Sequence, residues 1–207
     1  MPKNLSHTEI AAFRGRLCAV AEHLFAERGA QAVTMRELAR ALGVSAMTPY
    51  RYFKDKDEIL AAVRASAFDR FAAALESAAG IEGNAAVRAD AVGRAYLDFA
   101  FGQPHAYKLM FDLSQPDDDR FPELQRAGRR ARRTMSDYMK ALVEGGYLAG
   151  DPEMLGQIFW AAVHGLVVLE LAGKLNPKPD FKTLHAETMR LLARGAGVVA
   201  EQRRRAS

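Results

Sequence analysis

A single cysteine, Cys18, stands in the 207 residues. One thiol forms no intramolecular disulfide and builds no Cys-rich zinc site. Between Leu17 and Val20 it reads as an inert core group. Strand patterning is missing too: no stretch alternates apolar and polar residues between turns. There is no Gly-rich phosphate loop, no His-Glu-x-x-His and no nucleophile elbow. The five histidines, His7, His23, His105, His164 and His185, are dispersed, with no pair at metal-ligand spacing. No catalytic set is nominated, so a non-enzyme without cofactor or metal is expected. The N-terminus MPKNLSHTEI is polar and lacks the apolar region of a signal peptide, so a cytoplasmic location is expected. The charge imbalance is small as well. The 29 Lys and Arg against 25 Asp and Glu leave +4, which permits a polyanionic partner without requiring one. Hydrophobic content of 49% with 26% charged is ordinary for a globular chain with a real core.

What the chain has instead is helix punctuation. Ser6-x-x-Glu9 is a capping box that opens a helix with Ile10, Phe13, Leu17, Val20 and Leu24 on one face and a stop at Gly29. Thr34-x-x-Glu37 is a second box, before an apolar face of Leu38, Ala39 and Leu42 that ends at Gly43. Val44 reads as a buried hinge and Ser45 as a new N-cap. A short polar, basic helix follows with Thr48, Tyr50, Arg51 and Tyr52. Asp55-x-x-Glu58 opens a helix to about Leu75, and residues 78–84 read as a loop. Further helices are expected at about 85–102, 104–111, 123–144, 152–173 and 181–195, with EQRRRAS as a frayed basic tail. The expected fold is all-α: a helix-turn-helix domain over 1–60 and a helical ligand-binding and dimerisation domain over 61–207.

Two short helices joined by a Gly turn, the second of them polar, make a helix-turn-helix of a size suited to the DNA major groove. The run Thr34, Leu38-Ala39, Gly43-Val44-Ser45, Tyr50-Arg51-Tyr52-Phe53, Lys56 and Ile59-Leu60 resembles the TetR family of transcriptional repressors. The match covers roughly the first third of the chain. Trp160-x-x-x-His164-Gly165 and the segment from Pro104 to Phe111 resemble one C-terminal subclass of that family. Pro49 departs from the family pattern, which has Leu or Val there. If Ser45 is the N-cap, Pro49 costs a helical hydrogen bond. If Thr48 is the N-cap, Pro49 is the first helical residue, where proline is favoured. Either arrangement leaves residues 45–48 looser and more exposed than an ordinary recognition helix.

The expected DNA-binding set is Thr34, Arg36, Ser45, Ala46, Met47, Thr48, Tyr50, Arg51 and Lys56. Thr34, Arg36 and Lys56 lie at helix starts, where N–H donors add to phosphate binding. Ala46 and Met47 suit thymine methyls, and Thr48 a base edge or phosphate. Arg51 reads as a phosphate contact. The resemblance implies a phosphate contact for Tyr50 and a core place for Phe53.

The helix at 152–173 is apolar nearly all round, so burial on several sides is expected. Gln157, His164 and Glu170, with no basic flanks at both ends, argue against a membrane span. Gly156, Ala161, Ala162 and Gly165 would let a second helix approach closely. The resemblance implies a homodimer through the helices near 152–173 and 181–195. Phe99, Tyr107, Met110, Phe111, Tyr138, Trp160 and His164 are the expected walls of a small-molecule cavity, although each taken alone reads as core. The set lacks a cationic clamp, so a hydrophobic or weakly polar effector is expected. The arginines 126, 129, 130, 132 and 133 read as a solvated helix face.

Together these point to a homodimeric repressor that binds a palindromic operator and is released by a small apolar ligand. The alternative is a ligand-binding or interaction protein on the same scaffold with weak or lost DNA binding, suggested by Pro49.

Overall fold

The structure is a computed structural model and describes residues 6–112 and 118–206. Among these residues the chain forms eight α-helices and no strand. They are α1 (His7–Arg28), α2 (Met35–Ala41), α3 (Lys56–Ala79), α4 (Ala85–Gly102), α5 (Pro104–Met110), α6 (Pro122–Glu144), α7 (Pro152–Leu171) and α8 (Phe181–Ala206). Local chemistry explains the boundaries. The Ser6/Glu9 and Thr34/Glu37 boxes both form, each side chain serving the other residue's N–H. Asp151 caps α7 by accepting from the Met154 N–H at 2.9 Å. α2 closes with paired bonds from Gly43 N–H to the Arg40 carbonyl and from Val44 N–H to the Ala39 carbonyl, both 3.0 Å. That Schellman closure requires the left-handed backbone that Gly43 supplies at φ 67.

Three expectations change. α8 does not stop at Gly195 but runs to Ala206, because helix formers on both sides outweigh the cost of about 1 kcal/mol per glycine. The basic tail is therefore helical through Ala206. Val44 is half-buried, not buried. α7 covers only one stripe, the adjacent Leu155 and Gly156 followed by Phe159, Val163 and Val167 at steps of three or four residues. Met154, Ile158, Val168, Leu169 and Leu171 stay exposed. By length and composition α7 could cross a membrane, and 22% of its apolar window is buried.

The chain divides into two compact units that do not follow chain order. Unit 1 is Met1–Arg70 with Gln103–Arg129, and unit 2 is Phe71–Gly102 with Arg130–Ser207. The stretch expected as the DNA-binding domain lies within unit 1, and α5 joins it from the segment expected to serve ligand binding. Unit 1 has a core of Phe13, Leu17, Phe25, Val33, Leu38, Phe53, Ile59, Val63 and Leu109. Among the described residues its one buried charge is Arg64, whose guanidinium donates to the Leu109 carbonyl at 3.1 Å and the Met110 carbonyl at 3.4 Å. Those are end-of-helix carbonyls of α5, which have no partner in their own helix, and a cation suits that end of the dipole. Unit 2 packs Met139, Leu142, Leu148, Leu155, Phe159 and Ala196 together. A separate aromatic group sets Phe71 edge-on to Tyr96 and Phe99, each 5.2 Å away.

Candidate nucleic-acid interface

α2 is aimed by its caps and by unit 1's core. Met35, Leu38 and Ala39 point inward, which leaves Arg36 and Arg40, four residues apart, on the opposite face. After the Gly43 turn the chain does not enter an α-helix. The Thr48 N–H bonds the Ser45 carbonyl at 2.8 Å and the Arg51 N–H the Thr48 carbonyl at 3.1 Å. Residues Pro49–Arg51 form a 3-10 turn. The second alternative holds in position, with Thr48 at the N-cap and Pro49 the first residue of the turn, but the turn is 3-10 and not α, and the reason is Pro49. An α-helix would draw the fourth residue's N–H onto the Ser45 carbonyl, but proline has none, so Thr48 bonds it one residue earlier. Thr48 precedes the turn yet has helical φ −62, ψ −45 and makes no side-chain cap. The Ser45 hydroxyl instead accepts from the Met47 N–H at 3.3 Å.

The result is a short, irregular, outward stretch. Ser45, Ala46, Met47, Tyr50 and Arg51 are exposed, Met47 by 68%, and Pro49 anchors the segment by being buried. From behind, Arg14 donates to the Tyr52 carbonyl and lies 3.9 Å over the Phe53 ring. Tyr52 stacks on Phe13 at 4.1 Å, and Phe53 is core as the resemblance implied.

The expected phosphate ligands differ in readiness. Arg36 and Arg51 are exposed, with no side-chain partner among the described residues. The Thr34 hydroxyl donates to Glu37 at 2.8 Å, so its proton is already engaged. Glu37 in turn pairs with Arg28 at 2.8 Å; that pair, with the Thr34 bonds, pulls its carboxyl down to about 2. The Lys56 ammonium donates to the Gln31 carbonyl at 3.2 Å. Arg40 and Lys54 were not anticipated, yet both are exposed beside the recognition stretch. The signal was present in the sequence: from Leu38 to Lys54 there are three cations, Arg40, Arg51 and Lys54, and no carboxylate.

The seven expected ligand-binding residues fall in both units. Tyr107, Met110 and Phe111 stand in unit 1, where Tyr107 and Met110 are fully buried and Phe111 meets Phe68 at 5.7 Å. Phe99, Tyr138, Trp160 and His164 stand in unit 2. There the Trp160 and His164 rings lie 5.7 Å apart on one face of α7. Burial lowers the His164 pKa and raises that of Tyr138, so both are held neutral at pH 7. Two surface cavities lie elsewhere and include none of the seven. One of about 210 Å³ is bordered by Arg14, Glu58, Phe121 and Leu124, the other of about 550 Å³ by Asp98, Phe101, Phe181 and His185. The arginines of α6 are partly engaged: Arg126 holds Asp69 at 2.7 Å and Arg130 holds Glu76 at 2.8 Å.

A capped helix, a glycine turn and an exposed cationic stretch braced by one core make a helix-turn-helix DNA-binding module. Family profiles agree. Residues 17–63 match that of the bacterial regulatory proteins of the tetR family, and residues 89–192 match the tetracyclin repressor-like C-terminal domain. The chain belongs to the TetR family of transcriptional regulators. It is 27% identical over 146 residues to the HTH-type transcriptional repressor KstR2 of Mycobacterium tuberculosis, covering 67% of this chain and 70% of that one. A Rhodococcus sp. RHA1 protein of unknown function superposes with a TM-score of 0.77 at 26% identity, over 95% of this chain and 99% of the other. The solved ketosteroid transcriptional regulator KstR2 superposes with a TM-score of 0.65 at 19% identity, over 88% of this chain and 94% of its own.

Proposed function

We propose that the protein is a repressor that binds a palindromic operator as a homodimer in the cytoplasm and lets go when a small apolar ligand enters unit 2. The observation that carries the DNA half is the carboxylate-free stretch 45–51, exposed at Ser45, Ala46, Met47, Tyr50 and Arg51 and flanked by Arg40 and Lys54. Arg36, Arg51, Lys56 and the newly noted Arg40 and Lys54 hold phosphates. Ala46, Met47 and Thr48 meet base edges, and Tyr50 adds a hydroxyl on a phosphate. Thr34 acts by aiming α2 through its box. In this division of labour residues 1–60 read DNA and the rest of the chain serves assembly and control.

Assembly rests on the bare apolar side of α7, where Ile158, Val168 and Leu169 are each more than two-fifths exposed, and on Leu191 of α8 at 56%. A second copy covers these residues and sets two recognition stretches about 34–36 Å apart for a two-fold operator. The effector site is assigned to Phe99, Tyr138, Trp160 and His164. A neutral imidazole and a neutral phenol suit a carbonyl or hydroxyl on an otherwise apolar molecule, not a phosphate.

Fluorescence anisotropy against the promoter of its own gene tests the reading. Arg51→Ala should weaken binding across sequences and reduce the salt slope by about one unit. An effector that releases DNA should also shift the emission of Trp160, the only tryptophan. Absence of promoter binding, with folding intact, would favour the ligand-binding alternative.

A further inference from the structure

We propose that His23 and His105 form a two-histidine site for a borderline divalent metal ion such as Zn²⁺, joining α1 to α5 within unit 1. The two residues are 82 positions apart, so no sequence spacing links them, yet their Nδ1 atoms lie 3.2 Å apart and their rings 5.0 Å apart. Zinc bound by two imidazoles at about 2.0–2.1 Å in a tetrahedron sets its nitrogens about 3.3 Å apart, so this pair already has the bite.

Protonation favours the same arrangement. The His23 Nε2 sits 3.2 Å from the Glu27 carboxylate, one turn along α1. The Glu27 carboxylate accepts from an Nε2–H, which leaves the Nδ1 of neutral His23 as a lone pair. In the metal-free pair the His105 Nδ1–H donates to it. On binding, the ion takes both Nδ1 lone pairs while the His105 proton moves to its Nε2. Metal-bound histidines are oriented by such a carboxylate on the far ring nitrogen. The two helices are also held in register beside the pair. Lys108 of α5 donates to the Ala26 carbonyl of α1 at 2.8 Å. Arg70 bridges Glu22 at 2.8 Å and Gln103 at 3.0 Å, which takes up a cation that would repel a metal. Ligands on rigid, cross-tied helices lose little order on binding. The His23 side chain is 60% exposed, so a hydrated ion has access. Among the described residues no third His, Cys, Asp or Glu completes a cluster. Water therefore fills the remaining positions, and the affinity is that of a two-ligand site.

A zinc titration of the chelator-treated full chain by calorimetry tests this. One ion per chain is expected. His23→Gln or His105→Gln should each cost at least about ten-fold in affinity, and Glu27→Gln a similar loss through the orientation of His23. His185→Gln should leave the titration unchanged, and Mg²⁺ should give no binding, since it prefers oxygen ligands. Circular dichroism confirms that the variants, all at solvent-accessible positions, stay folded. Failure of the chain to take up zinc at millimolar concentration would overturn the proposal. So would uptake of equal affinity in both histidine variants, because the pair would then be a simple hydrogen bond between imidazoles.

Discussion

The two units hold themselves together by different means. In unit 1 long cationic side chains cross to backbone carbonyls: Arg14 to Tyr52, Lys56 to Gln31, Lys108 to Ala26, and Arg64 to Leu109 and Met110. Such bonds fix where one segment lies on another, because a carbonyl has a direction and a place in the chain. Both units carry surface ion pairs, Arg28–Glu37 and Arg126–Asp69 in unit 1 and Arg130–Glu76 and Lys140–Glu144 in unit 2. In unit 2, however, the Arg-to-carbonyl bond from Arg88 to Gly83 is local, and the interior is filled with apolar and aromatic groups. Apolar packing is strong but not directional, and here more apolar surface was made than the single chain covers. Unit 1 is built for position, and on the proposed assembly unit 2 is built for association.

The comparison breaks most visibly on α7. Val167 is fully buried, so Val167→Asp buries an unpaired carboxylate and should cost several kcal/mol, read as loss of the cooperative unfolding transition. Ile158 is 42% exposed, so Ile158→Asp should keep the helix content and melting temperature of a folded chain while ultracentrifugation reports monomer. If the two variants behave alike, the covered and bare stripes are not distinct. In unit 1, Arg64→Met keeps the volume but leaves the Leu109 and Met110 carbonyls without the guanidinium. A loss of about 1–3 kcal/mol in urea unfolding is expected. No change would mean that the directional bonds contribute little.

The smallest effect sharpens the comparison through pH. Glu37 is pulled from 4.5 to about 2, first by the Arg28 guanidinium and then by Thr34. A depressed carboxyl stabilises the fold fully above pH 4.5 and loses that contribution as pH falls toward 2. The melting temperature of Glu37→Gln should therefore lie below that of the unaltered chain at pH 7, with the gap closing between pH 4.5 and 2. A gap of equal size at both ends would remove the Arg28–Glu37–Thr34 network from the account.

How far the sequence could be read follows from the range of each interaction. Helix ends were legible at Ser6, Thr34, Gly43 and Gly173, because caps are written within four residues of where they act. The exposed recognition stretch was legible through Pro49, although not its form: removing one N–H was visible, but its replacement by a 3-10 bond is a choice the folded backbone makes. Arg64, the His23–His105 pair and the place of α5 in unit 1 were not legible. Each depends on partners 45 or more residues away. α7 was read correctly as apolar all round, but periodicity cannot say which neighbour covers each side.

The bare stripe on α7 also bears on how a cell would use this protein. On the proposed assembly a lone chain reads half a site, so what matters is how often two copies meet. Below the dimer's dissociation constant the pool of paired chains falls roughly as the square of the amount synthesised. Small changes in expression would then be amplified at the operator. Apolar surface left uncovered on one helix thus ties gene dosage to the steepness of the transcriptional response.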